Sequence, residues 1–153
     1  MLAFGAFVFF SLQSHPVFAT TAGFKAGEIM DDAVMTNDSS MSVSQIQNFL
    51  NSKVPSCDTN GQKISEYGGP DLNGDGKVQR WEWGKSSKYK QTTFICLKNY
   101  VSGGKSAAQI IYDKAKKYSI NPQVLVVLLQ KEQGLVTDTW PLNIQYKTAT
   151  GYG

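Results

Sequence analysis

The chain has 153 residues, with 15 Lys+Arg against 12 Asp+Glu, one histidine and two cysteines. A hydrophobic share of 41 % beside 18 % charged residues supports a packed core and excludes wholesale disorder. One His and two Cys undersupply a His/Cys zinc site and a Ser-His-Asp triad, so any hydrolytic chemistry would have to run on carboxylates.

In chain order, Leu2–Leu12 is an apolar stretch broken only by Gly5, Ala6 and Ser11, too short to span a bilayer. Pro16 and then Val17-Phe18-Ala19 follow it. Small residues one and three positions before a cut are what signal peptidase accommodates, so 1–19 reads as an export signal cleaved after Ala19. No Lys or Arg precedes Lys25, so either the start lies upstream of Met1 or the free amino terminus supplies the only positive charge there. Export places the protein in the cell envelope or the medium. The N-terminal stretch is the one membrane contact expected. In an oxidising compartment Cys57 and Cys96 are the only pair available, and their bridge would contribute about 4 kcal/mol in the chain-entropy account.

The expected class is mainly α. Ser42 and Ser44 each have Gln three residues on, a capping-box spacing. Val43, Ile46, Phe49 and Leu50 then recur at helical intervals until Pro55 closes the segment. The segment 20–55 is thus an N-terminal helical unit. The stretch 56–104 is loop-rich and bounded by the cysteines, with Gly68-Gly69-Pro70 and Gly103-Gly104 at its joints. Ser106 with Gln109 opens a second helix whose inner face carries Ala108, Ile111, Ala115 and Tyr118. Asn121-Pro122 opens a third, which runs through Val124–Leu129 to Gly134 and is apolar all round, so it should be the buried central helix. Charge follows the same division. From Glu28 to Asp75 there are eight acids against Lys53 and Lys63; from Lys77 to Lys131, eleven bases face Glu82 and Asp113. The bases are almost all Lys, without a base-reading or phosphate-loop motif, so nucleic acid is not the expected partner. An anionic wall polymer suits an exported chain better.

Residues 71–82 match the calcium-loop pattern D-x-[DN]-x-[DN]-G-x5-E at every fixed position. Asp71, Asn73 and Asp75 offer hard oxygens at alternate positions, and Gly76 permits the sharp turn. The Lys77 carbonyl, Gln79 and the two oxygens of Glu82 complete a shell for Ca2+. Because Tyr67–Pro70 is not helical, this is a lone loop, with an affinity of about 0.1–1 mM and a structural role. The alternative is an Asn/Asp/Gly turn that holds no ion.

Glu132 ends the third helix above Leu125, Leu128 and Leu129 on its own face. Desolvation by leucines and the negative end of the helix dipole both favour a protonated acid there, as a general acid requires. A solvated carboxylate in a last helical turn is the competing reading.

The segment Asn121–Val136, an apolar helix ending at Glu132, resembles the catalytic-helix segment of lysozyme-like lytic transglycosylases. Trp140-Pro141 and Ala149–Gly153 resemble the glycine-containing turn that lines their glycan groove. Phe24–Met30 and Ser40–Leu50 are similar to the N-terminal part of secreted bacterial proteins that carry this segment, some of them labelled haemagglutinin-like. Gln133 stands where that pattern has Ser, and 150–153 replaces the Gly-Leu-Met-Gln turn. The resemblance implies that 105–153 is an incomplete lysozyme-like domain and that the activity is cleavage of the β-1,4 bond between N-acetylmuramic acid and N-acetylglucosamine in peptidoglycan. It implies Glu132 as the acid that protonates the glycosidic oxygen and then as base for a 1,6-anhydro product, so no second carboxylate is obligatory. Asp138 is the nearest candidate for one. Tyr146, Gly151 and Tyr152 become sugar contacts, although a core role for either tyrosine is equally open. Two readings therefore stand beside each other: a monomeric peptidoglycan glycosidase, and a non-catalytic, calcium-stabilised surface or adhesion module. A dockerin-like element is weaker, since dockerins carry two such loops.

Overall fold

The computed structural model describes residues 30–151. The expected signal segment 1–19, Tyr152 and Gly153 lie outside the described residues. The architecture is mainly helical. Helix α1 (Asp32–Met35) starts where Asp31 accepts from the Ala33 N–H at 2.7 Å. Helix α2 (Val43–Lys53) carries the capping box its sequence predicts: Ser42 Oγ accepts from Gln45 N–H, and Gln45 Oε1 accepts from Ser42 N–H. After helix α3 (Arg80–Ser86) and a 3-10 turn at Leu97–Asn99, strands β1 (Val101–Ser102) and β2 (Lys105–Ser106) pair antiparallel. Gly103-Gly104, read from sequence as a joint, is the turn of this hairpin; both residues have φ near +60 to +80°, as a type I′ turn demands. Helix α4 (Ala107–Tyr118) is capped by Ser106, which accepts from Gln109 N–H. Helix α5 (Pro122–Gln133) is capped by Asn121 and ends at Gly134, whose φ of +68° is the left-handed C-terminal turn. The short helix α6 (Asn143–Lys147) closes the described chain.

The core lies between α2, α4 and the start of α5. Ile46 and Leu50, one turn apart on α2, are fully buried against Ala108 and Ile111 of α4 and against Val126, Leu135 and Val136. Burial of this kind stabilises by about 1.5–3 kcal/mol for each large aliphatic side chain. The expectation of a wholly buried central helix fails for α5. Within it only Pro122 and Val126 are buried, and Val127 is 64 % exposed. Helix α5 packs on α4 along one side, while Leu125, Leu128 and Leu129 line an open groove with Ile110 and Tyr118. Apolar character all round a helix is thus met by a groove, not by an enclosing shell. No helix among the described residues is long and apolar enough to cross a membrane.

The segment from Cys57 to Cys96 is held by other means. The two cysteines form the predicted disulfide, with their Cα atoms 5.9 Å apart. Residues 61–65 run antiparallel to 78–81, with Ser65 N–H donating to Val78 O, Arg80 N–H to Lys63 O and Trp81 N–H to Gly61 O. Gly61 and Gly84 are required by close approach. A Cβ on Gly61 would lie 2.5 Å from Trp81 N, and one on Gly84 only 1.8 Å from the Gln91 carbonyl oxygen. The buried Gln91 then ties this region to the C-terminal segment by donating to Pro141 O and accepting from Asn143 N–H.

Candidate functional site

The motif at 71–82 folds as a closed loop entering α3. Asp71 accepts from Gly74 N–H through one oxygen and from Gly76 N–H through the other, both at 2.7 Å. Gly76 has φ +80°, the turn its position in the motif calls for. Asn73 Oδ1 accepts from Asp75 N–H, and Asp75 accepts from Lys77 N–H and from Gln79 Nε2 at 2.6 Å. Desolvation opposes ionisation of Asp75, but hydrogen bonds from Gln79, Lys77 and Asn73 outweigh it and hold the carboxyl below its ordinary value. Glu82 is fully buried in the first turn of α3. Its Oε1 accepts from Leu72 and Asn73 N–H and its Oε2 from Gln79 N–H, at 2.7–3.0 Å. Three charge-assisted bonds from main-chain donors offset the cost of burying that carboxylate. The arrangement therefore draws the loop's two ends together on one acid. Among the described residues no cluster of three or more His, Cys, Asp or Glu side chains converges on a single metal position. The donor set of the loop is mixed: Asp71, Asp75 and Glu82 with Asn73, Gln79 and the Lys77 carbonyl, all oxygen on the accepting side.

Helix α3 leaves the loop carrying a buried arginine. Arg80 is 7 % exposed. It donates to Asp58 Oδ2 at 3.3 Å, to Thr139 Oγ1 at 3.2 Å and, through two nitrogens, to both oxygens of Glu66. Its guanidinium also lies 4.7 Å from the Trp140 ring centroid. Asp58 in turn accepts from Gln62 and Lys63 N–H. The 71–82 loop, the disulfide segment and the 138–141 turn thus meet on one side chain.

Glu132 lies at the exposed end of α5, with 31 % of its side-chain surface open and Lys131 Nζ 3.7 Å away. The desolvating leucine stripe expected beneath it instead faces the α4 groove, and Glu132 lines none of the four clefts mapped on the described residues. The turn at 148–151 does approach the carboxylate. Gly151 has φ +80°, and a Cβ there would lie 3.0 Å from Glu132 Oε2. Gln133 holds this turn against α5 by donating to Thr148 O. Tyr146 stacks on Tyr100 with centroids 4.3 Å apart and donates its hydroxyl to Ile95 O. Burial pushes its phenol well above the ordinary range. Asp138 caps its own turn by accepting from Trp140 N–H and Gln145 Nε2.

Sequence reading assigned no role to Tyr67, Trp83 or Tyr89, which share a cleft with Trp140. No periodicity links these positions; the one available signal is that Tyr67 and Trp83 flank the 71–82 motif.

Comparison with known proteins finds no curated protein and no solved structure that matches the chain. A family model described as LasA, N-terminal domain, matches residues 28–152. That span takes in the capped helices, the disulfide segment and the loop at 71–82 together, and the chain belongs to the LasA N-terminal domain family.

Proposed function

We propose that this protein is an exported, non-catalytic module that is ordered by calcium and attaches to a cell-wall glycan. Membership of the LasA N-terminal domain family supports export, as does the disulfide. The observation that carries the reading is the loop 71–82, which closes around Gly76 with Glu82 buried at its base. Asp71, Asn73, Asp75, Gln79, Glu82 and the Lys77 carbonyl are the residues that would hold the ion, all through oxygen. Bound calcium would offset two of the three clustered negative charges of Asp71, Asp75 and Glu82 and cross-link the two ends of the loop. Because α3 follows directly, ordering the loop also orders Arg80 and the aromatic side chains beside it.

The test is a melting curve of the full chain across a calcium titration, with sedimentation onto purified sacculi. Calcium at millimolar concentration should raise Tm, and Asp75→Ala should remove the rise. Sacculus binding should persist in Glu132→Gln and fall with chelator. A Tm that does not move up to 10 mM calcium would overturn the calcium role. A chain that does not sediment would overturn the attachment.

One observation favours the glycosidase reading as a second: the glycine turn at 148–151 lies against the Glu132 carboxylate. In that reading Glu132 is the general acid and Gly151 gives the glycan backbone access to it. Release of muropeptides that stops in Glu132→Gln, with Tm unchanged, would carry it.

A further inference from the structure

The cleft lined by the rings of Tyr67, Trp83, Tyr89 and Trp140 and by Asp138, Leu142 and Gln145 has a volume of about 380 Å³. This size lies within the range of small-ligand sites. The rings stand close together: Tyr67 to Trp83 is 4.9 Å between centroids, Trp83 to Trp140 5.5 Å, and Trp83 to Tyr89 6.0 Å. Tyr67 and Tyr89 are 55 % and 39 % exposed. Both tyrosines pack on Trp83 and still keep apolar ring surface in water beside the cleft they line.

The chemistry of the walls selects among possible occupants. An aromatic cleft with a carboxylate in its lining would suit an organic cation, but two of these rings already carry a cation of the protein. The Arg80 guanidinium lies 4.7 Å from the Trp140 ring and Lys88 Nζ 5.2 Å from the Tyr89 ring. A ligand cation would meet both charges. The polar lining, in contrast, offers hydrogen-bond acceptors. Each Asp138 oxygen accepts one bond, from Trp140 N–H or Gln145 Nε2, and keeps a lone pair. Gln145 Oε1 accepts from Leu142 N–H and keeps another. Both amide hydrogens of Gln145 are spent, on Asp138 and on Gln133 O. Fixed acceptors and aromatic faces in one cleft call for a ligand with several hydroxyl donors and an apolar C–H face. A pyranose ring meets both demands.

We infer that this cleft is a sugar-binding subsite for a neutral or acidic glycan, with Tyr67 and Tyr89 as stacking residues and Asp138 as the acceptor that orients ring hydroxyls. The assignment rests on the wall-attachment reading for its biological ligand and is separate from both Glu132 and the calcium shell. Trp83 and Trp140 make it observable, since a bound sugar alters their emission.

The experiment titrates the full chain with chitotetraose and, separately, with cellotetraose, following tryptophan fluorescence. The two oligosaccharides distinguish an N-acetylated strand from any β-1,4 pyranose. Binding should weaken about five- to tenfold in Tyr67→Ala and again in Tyr89→Ala, while Tyr67→Phe keeps it. Both rings also pack on Trp83, so each alanine variant is titrated at a temperature where its own melting curve shows it folded, which separates loss of binding from unfolding. Saturable binding of either sugar that weakens in the alanine variants supports the subsite. Fluorescence that responds to a proline-rich peptide or a tetraalkylammonium salt, but to neither sugar, overturns it. If sacculus sedimentation survives Tyr67→Ala with Tyr89→Ala, the subsite falls and wall attachment stands. If the unaltered chain binds neither sugar nor sacculi, both fall.

Discussion

The helical region and the disulfide-closed region are stabilised by different physics. In the first, α2 and α4 bring Ile46, Leu50, Ala108 and Ile111 together, and the removal of apolar surface from water does most of the work. In the second, a forty-residue segment has one short helix, and beside the buried Phe94, packed edge-on against Trp140, its interior carries a polar network. Glu82 answers three main-chain N–H groups, Asp58 two, and Arg80 spans Asp58, Glu66 and Thr139. Apolar packing is non-directional and tolerant; a carboxylate network is directional and holds a loop in one shape only while every member is present. A region that must present a cleft without a helical scaffold has reason to be built the second way.

Each of four perturbations should separate the two regions, and region-resolved hydrogen exchange combined with denaturant melts would read them. Reduction of Cys57–Cys96 should have the largest effect, about 4 kcal/mol, with protection lost first between 57 and 96. If α4 loses protection equally, the two regions form one cooperative unit and the contrast fails. Leu50→Ala should cost about 3 kcal/mol by leaving a cavity against α4, and should be felt first in the helices. Calcium at 10 mM should add about 1.4–2.7 kcal/mol if the affinity is 0.1–1 mM, confined to 71–86. A uniform gain across both regions would mean that the ion binds elsewhere or that the regions are coupled.

The smallest effect concerns pH. The hydrogen bonds from Arg80 hold the Glu66 carboxyl below its ordinary value of 4.5, with desolvation opposing. A depressed folded value means that this contribution is present above about pH 4.5 and is lost as pH falls through the folded value. The Glu66 side chain is 57 % exposed, so the contribution is under about 1 kcal/mol. Glu66→Gln should flatten the acid limb of the stability curve below about pH 4.5 and leave the helical region unchanged. An acid limb identical in the variant would show that Glu66 contributes nothing measurable.

Local signals were legible wherever the physics is local. The Ser42 box, the Ser106 and Asn121 caps, the proline opening α5 and the glycine closing it each depend on residues within four positions, and each is found where spacing placed it. The disulfide needed only a count of two cysteines and an oxidising compartment. The turn at Gly76 likewise needed only the motif. The burial of α5 was misread because an apolar helix states how much surface wants cover and not what supplies it. Here α5 meets α4 across a groove that stays open between them, and Val127 faces solvent. The lysozyme-like resemblance drew on that same helix, while the matching family is the LasA N-terminal domain.

The amino-acid sequence by itself determined the caps of α2, α4 and α5, the covalent bridge, the turn at Gly76 and the mainly helical class, because caps, glycine turns and cysteine pairing are encoded over short spans or by composition. The short helices α1, α3 and α6 were not predicted. Only the tertiary structure decided which acids are buried, where Glu132 points and which aromatic rings share a cleft. Those outcomes depend on Arg80 joining Asp58 to Thr139, and on Tyr67 and Trp140 meeting across 73 positions of chain. Contacts over such a separation leave no periodic trace, since loop closure, not local preference, brings their partners together.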